Sequence, residues 1–251
     1  MESGAFSVDV ERGLPVAVVR PRGQLDAYTA PDLQTALLSA LAHQPAGVLI
    51  DASDLTVVDD VGLAVIASVA RESERWPGTP FAVTGSSSLL ASVEALGVGR
   101  FVLACPDEAA ARIALDRWPA PAACRVEIQP DRDAPAAARS AVREFCEDQG
   151  VGGDGDAAQL VASELVTNAV LHARTPMEVT LRLVAPLLHI AVRDASVDRP
   201  RMSSDVDENA ESGRGLLLVD ALASSWGSLV LDSGKIVWAT VRVRALDRFD
   251  L

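Results

Sequence analysis

Ser163-Glu164-Leu165-Val166-Thr167-Asn168-Ala169-Val170-Leu171-His172-Ala173 places a carboxylate, a carboxamide and an imidazole four residues apart along the chain. An α-helix advances about 100° per residue, so each step of four turns the stripe by only about 40°, and Glu164, Asn168 and His172 look the same way. Val161, Leu165, Ala169 and Val170 supply an apolar face that predicts burial of the other side against a sheet. A buried helix with such a stripe lines a site. The alternative is a surface helix whose polar residues merely face water, and the residues that follow weigh against it.

Downstream, Val179 to Val184 reads as a strand, Ala185-Pro186 as a turn, and Leu188-His189-Ile190-Ala191-Val192 as a second strand running into Arg193-Asp194-Ala195-Ser196. A carboxylate at the exit of a buried strand is placed to accept a hydrogen bond deep in a pocket, which makes Asp194 a candidate. The hydrophilic stretch from Val197 to Ser212 is too polar to pack. Loops of that length serve as lids or binding loops, or are disordered. Gly213-Arg214-Gly215 then leads into the apolar helix start Leu216-Leu217-Leu218-Val219. Glycines let the backbone approach a ligand closely, and free N–H groups at a helix N-terminus favour phosphate. A lone G-x-G carries little. Placed after the Glu/Asn helix, the strand-end aspartate and a polar lid, it carries much more.

The first half alternates strand and helix: Val16 to Val19, a helix over Ala30 to Ala42 with Leu33, Leu37, Leu38 and Leu41 on one side, a buried strand Gly47–Asp51, and a loop from Ala52 to Asp60. A helix from Val61 to Glu74, the strand Phe81–Thr84, a helix Leu89–Leu96, the strand Phe101–Leu103 and a helix Asp107–Leu115 complete it. Such alternation predicts an α/β layer structure. Arg117-Trp118-Pro119-Ala120-Pro121-Ala122-Ala123-Cys124, with two prolines, separates this half from the second. The expected organisation is a domain at 1–116, a linker at 117–124 spanning roughly 25 Å at proline-rich stiffness, and a domain at 125–251. Ala134 to Ala141 reads as helix.

Composition excludes several classes. At 251 residues and 49% apolar content there is material for two cores. The net charge of −13 divides evenly, with 8 basic and 15 acidic side chains over residues 1–120 (−7) and 14 and 20 over 121–251 (−6), so neither half reads as a nucleic-acid binder. No apolar run approaches the roughly 20 residues of a spanning helix and no leader-like start is present, which predicts a cytoplasmic protein with no membrane partner. Cys105, Cys124 and Cys146 form no C-x-x-C pair, arguing against a disulfide framework or zinc site. The basic residues are arginines apart from Lys235, a bias read here as genomic.

The first half resembles a STAS domain, the anti-anti-sigma-factor fold, over about residues 6–115, on Gly23-Gln24-Leu25-Asp26 after the first strand and Asp59-Asp60-Val61-Gly62-Leu63 at a helix start. The resemblance implies a mixed sheet with helices and a serine, just before the glycine, that accepts phosphate from a partner kinase. This chain has Asp60 and Val61 there, and no hydroxyl. Two readings stand: Asp60 imitates a phosphoserine at a helix N-terminus, with less charge than a phosphate, or Asp59 or Asp60 is an N-cap and the domain keeps docking without switching.

The second half, from about Arg125 to Val243, resembles the ATP-binding domain of the GHKL superfamily, a two-layer α/β sandwich, and specifically the anti-sigma-factor serine kinases. The motifs are S-E-L-V-T-N-A-V-x-H-A, V-x-D-x-S, G-R-G-L-x-L-V and Gly234-Lys235-Ile236-Val237-Trp238-Ala239-Thr240. By position the resemblance implies ATP as cofactor, with Asn168 holding magnesium, Asp194 receiving the adenine amino group, Gly213, Arg214 and Gly215 cradling phosphates, Thr240 reaching the adenine edge and Glu164 acting as the general base toward a serine hydroxyl. The family's wider D-x-G-x-G is here Asp194-Ala195-Ser196-Val197-Asp198. A histidine-kinase reading lacks its phosphoacceptor histidine; His43 and His189 read as structural and His172 as part of the asparagine motif. The resemblance further implies a STAS-domain protein or a sigma factor as partner, and a homodimer as the assembly. The expected function is a partner-switching serine kinase with a fused docking module. The alternatives are a non-catalytic, ATP-dependent regulator-binding protein and a pocket that no longer binds nucleotide.

Overall fold

Val18, Leu49 and Ala82 are buried beside Val19, Ile50 and Val83, and because successive strand residues point to opposite faces, this sheet must be covered on both sides. The computed structural model describes residues 5–13, 15–95, 102–152, 155–197, 214–231 and 233–245, with the backbone alone at 60, 61, 152, 214 and 245. The chain divides into two units, Met1–Ala120 and Pro121–Leu251.

The first unit runs β1 (Ser7–Glu11), β2 (Val16–Leu25), α1 (Ala30–Leu41), β3 (Gly47–Asp51), β4 (Leu55–Val57), α2 (Asp60–Arg75), β5 (Phe81–Thr84), α3 (Ser87–Ala95), β6 (Val102–Ala104) and α4 (Glu108–Asp116). Its sheet has the order β1-β2-β3-β5-β6, with β4 also paired to β2. β1 is antiparallel and the other pairings are parallel, so the sheet is mixed. Val19, Ile50 and Val83 meet Leu33 and Leu37 of α1 and Ile66 of α2 on one face. Val18, Leu49 and Ala82 meet Ala111 and Leu115 of α4 on the other.

In the first unit, β2 and β4 depart from the sequence expectation. β2 continues past Val19 through Arg20-Pro21-Arg22, where polar residues hide the strand, because β1 pairs along it and β4 takes its far end. β4 itself lies within the stretch expected as loop.

The second unit runs β7 (Ala122–Ile128), α5 (Ala134–Asp148), β8 (Val151–Gly152), α6 (Gly155–His172), β9 (Met177–Val184), β10 (Leu187–Asp194), α7 (Arg214–Leu222), β11 (Ser225–Leu231), β12 (Gly234–Arg242) and β13 (Arg244–Ala245). An antiparallel sheet of order β11-β12-β10-β9-β7 forms one layer, and β8 and β13 make a separate pair. Leu181, Ile190, Val192, Val237 and Ala239 pack with Ala138, Val142 and Phe145 of α5 and Val161, Leu165, Val166 and Ala169 of α6. The unit is thus an α/β sandwich with its helices on that face. Thr180, Arg182, His189 and Thr240 are buried on the opposite face. Ala122, Ala123 and Cys124, expected as linker, belong to β7. After Pro121 the chain can donate to a ladder again, and the alternation of Cys124, Val126 and Ile128 against Arg125 and Glu127 pairs it with β9. Among the described residues no helix is long and apolar enough to cross a membrane.

Candidate functional site

The stripe on α6 sits where its spacing predicts. Val161, Leu165 and Ala169 are buried, Glu164 and Asn168 are half-buried, and His172, the last residue of the helix, is exposed. Ser163, beside the stripe, is buried and its hydroxyl accepts from Arg139 Nη1 of α5 at 2.7 Å, fixing the rotation of α6 against its neighbour.

α7 begins against this stripe. A Cβ built on Gly215 would lie 2.5 Å from Glu164 Oε2, so the glycine leaves room for the carboxylate beside the first turn of α7. Any side chain at 215 would displace Glu164. The sequence candidates Glu164 and Gly215 are therefore brought together, and the carboxylate stands at the positive end of a helix, where an anion is favoured. Gly213 and the stretch 198–213 lie outside the described residues, as does the side chain of Arg214.

Asp194 closes β10 at 3% exposure. Its Oδ1 accepts from the backbone N–H of Ser196 at 2.8 Å and from Lys235 Nζ at 3.1 Å. Its Oδ2 is buried and has no hydrogen-bond partner among the described residues. Buried carboxylate oxygens are seldom left so, and this one fits an incoming amino group. The Ala195 N–H donates to Thr175 Oγ1 at 3.1 Å, tying the strand exit to the end of the loop after α6. Gly234, at φ 138°, begins β12 where any Cβ would meet the Asp194 carbonyl and lie 2.9 Å from Ala195 Cα. That glycine lets the two strands close around the aspartate.

Thr240 is not brought to this site. The ladder sets Lys235 opposite Asp194 and Thr240 opposite His189. Five residues at about 3.4 Å each separate them by about 17 Å, and an odd step points Thr240 to the opposite face of the sheet. There it is buried, 3.1 Å from Ser225 Oγ. The place expected for Thr240 belongs to Lys235, which the sequence reading passed over. The available signal was a lone lysine in a chain otherwise using arginine, inside the apolar run Ile236-Val237-Trp238-Ala239.

His189 is 1% exposed, and neither ring nitrogen has a hydrogen-bond partner among the described residues. Burial, with the Arg182 cation opposite it on β9, pushes its pKa down to about 4, so the ring is neutral and structural.

At the first unit's switch position, Asp59 is the N-cap of α2 and its Oδ1 accepts from the Gly62 N–H at 2.8 Å. Asp60 and Val61 form the first turn, and their side chains lie outside the described residues. A Cβ on Gly62 would be 2.8 Å from Leu25 Cγ and 3.1 Å from the Asp26 nitrogen, so the glycine is required by close packing of the helix start on the end of β2.

Family models match both units: the STAS domain family described as "Mlab, STAS domain" over residues 8–104, and the histidine kinase-like ATPase domain over residues 128–241. The chain is a STAS domain followed by a histidine kinase-like ATPase domain. Among solved structures it is similar to an anti-sigma factor antagonist from Mycobacterium paratuberculosis, at 24% identity over 45% of this chain and 95% of that one, with a TM-score of 0.39. It is also similar to the RsbU and RsbW domains of a Mycobacterium tuberculosis protein, at 19% identity over 49% of this chain and 32% of that one, TM-score 0.39. A third is the histidine kinase AdeS of Acinetobacter baumannii, at 16% identity over 62% and 82%, TM-score 0.31. No curated protein matches the chain.

Proposed function

We propose that the chain is a partner-switching regulator of sigma-factor-dependent transcription, whose ATPase domain binds ATP with magnesium and transfers the γ-phosphoryl group to a serine on a separate STAS-domain protein. The nearness of Glu164 to the first turn of α7, where a Cβ on Gly215 would lie 2.5 Å from Oε2, supports this reading, because a candidate base beside a helix N-terminus is close to an end that favours phosphate. Asp194 Oδ2 accepts from the 6-amino group of adenine. Asn168, one turn along from Glu164, offers a carboxamide oxygen to magnesium, a hard ligand for a hard ion. Gly213, Arg214 and Gly215 hold the phosphates.

The metal supplies neutralisation of the developing phosphate charge. Glu164 takes the proton from the attacking serine hydroxyl. The Oγ–P bond forms as the bond from the γ-phosphorus to the β,γ-bridging oxygen breaks, and ADP leaves. Glu164→Gln is isosteric and cannot take that proton; it abolishes phosphotransfer to STAS substrates while ATP binding stays within about threefold. Phosphotransfer surviving in Glu164→Gln would remove Glu164 from the reaction.

The fused STAS domain has no hydroxyl at Asp60 or Val61 and serves as a docking module rather than a substrate. Deletion of residues 1–120 therefore changes phosphotransfer to an external STAS protein, and identical rates with and without them would remove the regulatory role. The same missing hydroxyl favours one second reading, a non-catalytic regulator that binds a sigma factor or STAS protein and uses ATP to set its shape. Tight partner capture with no phosphorylated product distinguishes it.

A further inference from the structure

Lys235 is the chain's single lysine. It is 1% exposed, faces the helix layer from β12, and its Nζ donates to Asp194 Oδ1 at 3.1 Å. An ammonium carries three protons, and this is its one hydrogen bond among the described residues. Among the described residues the pair therefore has an unspent acceptor, Asp194 Oδ2, beside unspent donors on Lys235 Nζ.

A buried ion pair is a poor source of stability, since well-packed apolar residues in its place are often neutral or better. The four residues that follow it on β12, Ile236-Val237-Trp238-Ala239, are apolar. The ammonium also differs from a guanidinium in being a compact charge whose donors rotate with its flexible stem. Those properties suit a group that swings between a fixed carboxylate and a ligand.

We propose that Lys235 sets the base specificity of the nucleotide site and admits 6-oxopurine nucleotides, those of guanine and hypoxanthine, alongside adenine. The inference rests on the nucleotide-binding reading above. A carboxylate alone accepts from the 6-amino group of adenine and meets the O6 of guanine lone pair to lone pair, which rejects it. With an ammonium beside the carboxylate, O6 gains a donor while the carboxylate accepts from the ring N1–H. The same pair serves adenine, with the carboxylate taking the amino protons and the ammonium donating to N1. A site that leaves a ligand's polar group unpaired discriminates strongly, and a site offering both partners does not.

The test is calorimetric titration of magnesium-ATP, magnesium-GTP and magnesium-ITP into the full chain and into Lys235→Met and Lys235→Thr. The wild type is expected to bind GTP and ITP within about tenfold of ATP, and both variants to lose GTP and ITP about tenfold or more beyond any loss of ATP. A lysine that merely neutralises Asp194 would instead lower all three nucleotides equally. ATP bound with GTP and ITP weaker by about a hundredfold or more overturns the inference and leaves the nucleotide site standing. No binding of any of the three overturns both. The wild-type ratio decides the matter if neither variant folds.

Discussion

Burial of His189 ties the protein's stability to acid. An unfolded histidine protonates near pH 6.5, whereas the native ring stays neutral down to about pH 4. Between those values the unfolded state binds the proton and the native state does not, so stability is unaffected above pH 6.5 and falls as pH drops toward 4. The shift corresponds to about 3 kcal/mol at its full extent. Urea unfolding at pH 7.5 and 4.5 should show the wild type losing about 2–3 kcal/mol more than His189→Leu; parallel pH profiles would mean that His189 titrates normally. Asp194 and Lys235 are coupled in the same direct way. Asp194→Ala leaves a buried ammonium uncompensated and should cost about 3–5 kcal/mol, while Asp194→Leu/Lys235→Met removes both charges and should recover most of it. Denaturant midpoints that fail to recover in the double variant would show that the pair is not the source of the loss. Asp194→Asn also disturbs Lys235, so weakened nucleotide binding in that variant needs a stability measurement beside it.

At the scale of elements, two helix starts depend on glycine and a cap. α2 is held by Asp59, whose carboxylate satisfies the Gly62 N–H; Asp59→Ala should lower stability by about 1 kcal/mol. A chemical melt within about 0.3 kcal/mol of wild type would mean the cap is redundant. α7 depends on Gly215 for its approach to Glu164. Gly215→Ala forces that carboxylate aside and should reduce the proposed phosphotransfer about a hundredfold, with a smaller effect on ATP affinity, because misplacement of a proposed base by about 1 Å carries that cost. Equal losses in binding and turnover would place Gly215 in phosphate contact alone. Other helices are legible in the sequence: Leu33, Leu37 and Leu41 mark α1, and the Glu164–Asn168 stripe marks α6. β4 is not, because Leu55-Thr56-Val57 is too short for a period to show and forms only by pairing with the end of β2. The start of β7 was concealed for a different reason, since Ala122 and Ala123 carry little side-chain pattern and follow a proline.

The whole molecule has separate cores. The cluster under the antiparallel sheet draws its buried members from residues 128–243, and the two clusters of the first unit draw theirs from residues 17–115. Each set fills its own layers, so residues 121–251 produced alone should unfold cooperatively and retain nucleotide binding within about threefold of the full chain. Loss of the cooperative transition in that fragment, judged by calorimetry, would show that the ATPase fold depends on residues 1–120. The acidic charge is shared almost evenly, −7 and −6 on the two halves, so long-range electrostatics steer an approaching partner alike toward either half.

Local periodicity and short motifs determined the two α/β halves, the polar stripe on α6, the strand-end aspartate and the glycine at the start of α7, because each is a matter of spacing within one element. Tertiary structure alone decided what stands opposite Asp194. Strand register is set by pairing across the sheet rather than along the chain, and it brought Lys235, not Thr240, to the carboxylate. The same pairing sent Thr240 to the far face beside His189, and helix packing set Gly215 against Glu164, neither of which any spacing in the sequence expresses.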